Sequence, residues 1–341
     1  MIIQQYVLGG WTLKLRFIGL GFLLVLVIMA IVASIIFGIV HIPSGSVLDA
    51  FTSYDGSREQ LIIRTVRLPR ALIAAMVGSA LAVAGCLMQA LSRNALAGPE
   101  LFGVNYGAAL AAVLALYIFG STSLTVFAWA ALIGAAVAGA AVFLLSSVGR
   151  EPLTSVKLVL AGATLNLLLA SLTQGILILN EQTLDTMRFW LAGSLTGRDL
   201  SLFTQLFPYM LAGLLLAFFM GKHMNIISLG DEMAQGLGQR VFFIKVLCIG
   251  AIVLLAGSAV AIAGPIGFVG LAVPHMARFV VGINYRWIIP YAALIGALLL
   301  LVADIGARFV LPSQEVPVGV VTAFFGAPFL IVLAQRKGGA I

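Results

Sequence analysis

The chain has 341 residues, 62% of them hydrophobic and only 9% charged, whereas soluble domains carry about a quarter of their residues as charges. That composition excludes a soluble globular domain. The net charge of +7 has no basic stripe or aromatic platform beside it, which argues against nucleic acid as a partner.

A hydrocarbon core of roughly 30 Å takes about 20 apolar residues per helix, so the expectation is an all-α polytopic membrane protein with about ten spans in a single domain, 1–341. In chain order, Lys14 and Arg16 precede an apolar run from Phe17 to Val40. The run is too long for a signal-peptide core and lacks a small-x-small cleavage site, so it reads as a retained first span. The hydropathy pattern places spans at 17–40, 68–91, 101–119, 124–148, 155–180, 201–221, 242–262, 265–282, 287–306 and 317–334. With the N-terminus inside, the cytoplasmic ends carry Lys14, Arg16, Arg93, Arg150, Lys157, Lys222, Arg240, Lys245, Arg278, Arg286, Arg336 and Lys337. The outer side carries Arg58, Arg64, Arg67, Arg70, Arg188, Arg198 and Arg308. Twelve against seven fits positive-inside topology, with both termini in the cytoplasm.

Two connections are too long for simple turns. The outer segment from His41 to Arg67, with Pro43, Ser44 and Gly45, is expected to cover the mouth as short helices. The inner segment from Lys222 to Arg240 has helical spacing: Ile227, Met233, Ala234 and Leu237 share one broad face, and Asp231 and Glu232 lie where a helix dipole favours acids. It is either an interfacial helix on lipid or, given the glycines 230, 236 and 238 around it, a helix that docks into a protein groove. Small residues recur within spans at Gly78, Ala82 and Gly85, at Gly134, Ala138 and Gly139, and from Ala161 to Ala163. Such faces suit close helix packing, within the chain or between subunits. Cys86 and Cys248 lie in apolar runs and read as small packing residues.

The chain lacks the motifs of several chemistries. There is no phosphate-binding GxxxxGK[ST], no HExxH and no GxSxG, and the glycines of GPIGFVG (264–270) do not match a dinucleotide fingerprint. His41, His223 and His275 are scattered, so no metal site within one chain is expected. Asp304 alone is charged at depth within a span. It lies four residues before Arg308, so a structural pair on one helix face is the simple reading, against a proton relay. Arg67 and Arg70 flank Leu68–Pro69 at the start of a helix, on one face. They are either solvated anchors or a docking site for a partner's carboxylates.

Four stretches carry a wider likeness: RLPRALIAAMVGSALAVAGCLMQALSRNALAGPELFGV (67–104), SLGDEMAQGLG (228–238), GPIGFVGLAVPHMARF (264–279) and ADIGARFVLPSQEVPVGVVTAFFGAPFLIVLAQRK (303–337). In these and in their order the whole chain resembles the permease subunits of type II ATP-binding cassette importers, which handle ferric siderophores, haem and vitamin B12. The resemblance implies a fold like that of the vitamin B12 importer permease, and a place in the bacterial cytoplasmic membrane. It implies pairing with a second permease, a homodimer or a related sibling, above two cytoplasmic ATPase subunits. An extracytoplasmic binding protein would deliver the substrate. ATP is used by the partner ATPase, and no cofactor is implied for this chain.

Residue by residue, Arg67, Arg70 and Arg308 match the family's arginines that receive glutamates of the binding protein. The segment Ser228, Leu229, Gly230, Asp231, Glu232, Ala234, Leu237 and Gly238 matches the coupling helix that sits in the ATPase. Asn94, Ala95 and Leu96, with Thr154, Ser155 and Val156, match inner loops that gate the exit. Ala95 replaces the proline of the family's Asn-Pro-Leu turn, which implies a looser gate. RFWLAGSLTGRD (188–199) favours a ferric siderophore as substrate. The competing readings are the same kind of importer for vitamin B12 or haem, and an ion-coupled secondary transporter. The chain is expected to perform no enzymatic chemistry itself.

Overall fold

The computed structural model describes residues 13–38, 40, 42–120, 123–148, 154–311 and 315–338. Of the residues singled out above, His41 and Arg150, and the side chains of Ser44, Ser155, Arg336 and Lys337, lie outside that description. The elements are α1 (Leu13–Ile36), α2 (Ser44–Thr52), α3 (Arg58–Ile62), a π-helical turn (Ile63–Arg67), α4 (Leu68–Ser92), a 3-10 turn (Pro99–Phe102), α5 (Val104–Phe119), α6 (Leu124–Ser147), α7 (Ser155–Leu179), α8 (Glu181–Leu191), α9 (Leu200–Ile227), α10 (Asp231–Gly236), α11 (Val241–Ala263), α12 (Val269–Val281), α13 (Tyr285–Ala307) and α14 (Val318–Gly338). No strand occurs among the described residues.

Seven segments are long and apolar enough to cross a membrane by length and composition: α1, α3 with α4, α6, α7, α9, α11 and α13. Three further apolar helices are shorter: α5, α12 and the Val318–Phe329 part of α14. Helices thus stand at every expected position, though the first, expected at 17–40, spans Leu13–Ile36, and three other ends differ. The segment expected from 101 begins only at Val104, because Pro99–Phe102 forms a 3-10 turn that ends on Gly103 at φ 72°. The segment expected from 265 begins at Val269, because Gly264 and Phe268 hold φ near +73° and +74° and break the helix. The segment expected to end at 221 runs on to Ile227. The outer segment after His41 forms short helices α2 and α3, as expected, and α8 is an additional amphipathic helix capped by Asn180, whose Oδ1 accepts from the Thr183 N–H at 2.8 Å.

Since lipid supplies no hydrophobic drive between helices, close van der Waals contact must hold the bundle. Helix α4 is the centre, packed against α13, α11, α12 and α9. Its small residues make this possible: a Cβ at Gly78 would lie 2.2 Å from the Gly296 carbonyl oxygen, and one at Gly85 would lie 1.9 Å from that of Gly270. Gly134 meets Gly107 in the same way between α5 and α6, at 2.3 Å. These small-residue faces therefore pack within the chain.

Candidate docking and gating sites

The outer arginines are not free at the surface. Arg67, Arg70 and Arg308 are only 5%, 6% and 4% exposed, so of the two readings open for Arg67 and Arg70, that of solvated anchors is corrected. Asp304, fully buried, accepts from Arg70 through Nη2 at 2.9 Å and Nε at 3.0 Å, and from Arg308 through Nη2 at 2.5 Å. The Asp304–Arg308 pair expected from their four-residue spacing is present, and Arg70 joins it from a helix distant in sequence. Arg70 also donates through Nη1 to Glu315 at 2.7 Å, and the same Glu315 oxygen accepts from Thr196 at 2.6 Å. Burial would raise the Glu315 carboxyl, but the Thr196 hydroxyl and the Arg70 charge outweigh it and hold the group below its ordinary value.

The other donors close off α1. A helix leaves its last four carbonyls unsatisfied. Arg308 donates to the Ser34 and Phe37 carbonyls at 2.7 and 2.8 Å, and Arg67 to those of Ile35 and Ile36, both at 2.8 Å, and of Val40. Two cations at the negative end of the helix dipole also suit its charge.

At the opposite end, the segment after α9 divides. Gly230, at φ 115°, breaks the chain between Ile227 and α10. Ile227 and Ala234 are buried, whereas Leu229, Met233 and Leu237 are 61%, 60% and 60% exposed. The single broad face expected from spacing is therefore corrected: the glycine turns two of its members inward and leaves a separate stripe, four residues apart, outward. Asp231 and Glu232 do occupy the first turn of α10. Asp231 accepts from Lys245 of α11 at 2.7 Å, fixing the short helix to the bundle, while Ser228, Glu232 and Gly238 are exposed.

The gate residues lie beside this segment. Arg93 ends α4 in the left-handed region, at φ 51°. Asn94 Oδ1 then accepts from the Leu96 N–H at 2.9 Å, and the Asn94 carbonyl from the Ala97 N–H at 3.1 Å. His275 Nε2 lies 2.7 Å from the Ala95 carbonyl oxygen. The Asn94 side chain, one backbone bond and the His275 contact thus hold this turn at Ala95. Thr154 Oγ1 caps α7 by accepting from the Lys157 N–H at 3.3 Å, and Leu96 and Val156 are exposed. A cleft of about 700 Å³ is lined by Arg93, Thr154, Leu229, Glu232 and Met233 among others, so the residues expected to form the gate and the coupling segment share one surface.

The helical bundle agrees with what this chain is similar to. The model of the FecCD transport family matches residues 25–336. The chain belongs to the FecCD transport family. Across 98% of its length it is 43% identical to the ferric enterobactin transport system permease protein of Escherichia coli (strain K12), covering 100% of that protein. It is 47% identical to an Fe(3+)-citrate import system permease protein of Bacillus subtilis (strain 168), over 84% of each chain. Among solved structures it superposes with a TM-score of 0.81 on a metal-chelate type ABC transporter in an inward-facing conformation, at 30% identity, covering 93% of this chain and 98% of that one. Members of this family are transport permeases, and the chain is accordingly a multi-pass protein of the bacterial cell membrane.

Sequence reasoning missed two partners and one burial. Arg70 reaches Asp304 across 234 positions, and no local spacing signals it. Lys245, read as a cytoplasmic end, is buried against Asp231; four residues into α11, its position in a run of apolar neighbours was the available signal. Arg198, counted among the outer charges, is buried in a loop.

Proposed function

We propose that this chain is the permease subunit of an ATP-binding cassette importer that carries ferric siderophore complexes inward across the bacterial cytoplasmic membrane. The observation that carries the reading is the end-to-end likeness to a ferric enterobactin permease. The exposed Leu229, Met233 and Leu237 stripe supports it, as an apolar face beside acidic Glu232 suited to a groove in a soluble subunit rather than to hydrocarbon.

A second permease is the partner that α7 calls for. Thr164, Ser171 and Gln174 stand exposed along that span, and polar groups facing lipid are costly, so this face suits a protein-lined or watery path between two permeases. The ATPases would close on ATP, move the segment 228–238 and, across the cleft that Gly230 and Arg93 line together, shift the gate residues Asn94, Ala95, Leu96, Thr154, Ser155 and Val156. That shared cleft supports the link. Such rigid-body gating is a common switching mode. On the outer face, Arg67, Arg70 and Arg308 would receive carboxylates of a binding protein by exchanging partners, with Glu315 occupying Arg70 until a partner's glutamate replaces it. The ten helices would cross ten times with both termini inside.

The experiment is reconstitution of the permease with its ATPases and binding protein, followed by uptake of radiolabelled ferric siderophore. Uptake should need ATP and persist when ion gradients are collapsed. Uptake that follows the gradient, or that takes cobalamin or haem in preference, overturns the reading. Cysteines placed at Glu232 and at Arg58 should label from the inside and the outside respectively, and labelling from one side alone overturns the topology.

A further inference from the structure

Burying a guanidinium is costly unless carboxylates or carbonyls receive its donors, and the buried arginines of the outer network have theirs received, Arg308 Nε excepted. Arg198 has no such receiver. It is 7% exposed, its Nε is buried without a partner, and among the described residues it makes no hydrogen bond and no ion pair. The carboxylates near it in sequence or space are committed elsewhere. Asp199 Oδ1 accepts from the Leu202 N–H at 2.8 Å as the cap of α9, Asp185 pairs with Arg188, and Glu315 serves Arg70 and Thr196. Burial alone, with no opposing charge beside it, pushes the Arg198 guanidinium down to about 10.

The loop that holds this arginine is pinned. The Ser194 N–H donates to the Ala263 carbonyl at 2.8 Å, and the Gly319 N–H to that of Gly193 at 2.9 Å. Arg198 lines a cavity of about 400 Å³ at the outer end of the bundle, with Phe127, Met187, Trp190, Thr196 and Glu315 among its walls. Apolar walls lower the local dielectric and strengthen any charge pair formed there. We propose that Arg198 is the charged centre of a carboxylate-binding site in this cavity. The carboxylate comes either from the iron chelate itself or from an acidic side chain of the delivery protein. The proposal rests on the importer reading only for what brings the carboxylate to the site.

The test uses the purified permease with its ATPases in nanodiscs, without delivery protein, and citrate as probe at constant ionic strength. Ligand that binds only the folded state raises its melting temperature. Citrate should raise it for the parent complex, not for Arg198→Gln, and partly for Arg198→Lys, with the citrate-free melting temperatures reported alongside so that a merely structural role is separated. Loss of this charge-assisted contact should weaken binding by about ten-fold or more. If citrate is silent on the parent but Arg198→Gln weakens delivery-protein binding about ten-fold, the carboxylate belongs to the protein. A parent complex indifferent to citrate, together with unchanged delivery-protein binding in Arg198→Gln, overturns the proposal. Parent complexes that bind citrate through Arg198 yet import no ferric chelate would leave this site standing and sink the importer reading instead.

Discussion

At the outer end of the bundle three guanidiniums are used on the chain's own oxygens, whereas at the inner end three large apolar side chains are left bare. Arg67, Arg70 and Arg308 are almost wholly enclosed; Leu229, Met233 and Leu237 are mostly open. The proposed inner surface therefore suits a permanent partner, since association there would cover apolar area and break nothing. The outer cluster first holds the fold, so a partner that docks on it must displace an internal ligand. That asymmetry suits an ATPase that stays bound and a carrier that comes and goes.

The comparison breaks most visibly at Asp304. Asp304→Asn leaves the enclosed Arg308 without its charge partner and Arg70 with Glu315 alone, and removing one member of a buried pair costs about 3–5 kcal/mol. We expect the variant to reach the membrane at greatly reduced levels, read by immunoblot and by the melting temperature of what can be purified. Normal levels and stability would show that the outer network is not structural. Replacing Met233 and Leu237 together by serine should do the opposite: accumulation and melting temperature unchanged, but carrier-stimulated ATPase activity down about ten-fold or more, since a few central apolar contacts dominate an interface. Undiminished coupling in that variant would return the stripe to the lipid surface.

Two smaller effects sharpen the outer half. Glu315→Gln frees Arg70 of one internal carboxylate and should tighten carrier binding several-fold, up to about ten-fold, as measured by surface plasmon resonance on nanodiscs; weaker binding would mean that Glu315 itself faces the partner. The same carboxylate sets a pH dependence. Its folded value lies below the ordinary 4.5, so its contribution is fully present above that and fades as pH falls through the lowered value. Parent melting temperature should therefore fall more steeply below pH 4.5 than that of Glu315→Gln.

The spans were legible because each needs a long apolar run, and α4, α6 and α7 lie within a residue or so of where hydropathy puts them. The starts that differ are set by backbone conformation: Gly103 and Phe268 take positive φ, which no hydropathy profile carries. At the sites, residue types were legible and their environments were not. Leu237 and Ile227 look alike in a periodic pattern, and Gly230 between them sends one out and one in. Arg67 and Arg70 looked like surface charges because their acceptors, the end of α1 and Asp304, come together only in the folded bundle.

The clamp on α1 also has a timetable. Its last carbonyls are bound from two directions: Arg67 follows Ile35 by 32 positions, but Arg308 follows Ser34 by 274. At roughly 5–20 residues per second of synthesis, the second hand closes about 14–55 s after the first helix has emerged. Until then α1 sits in the bilayer held at its outer end by Arg67 alone, and a nascent chain cut short before Arg308 would carry a first helix that is inserted but never latched.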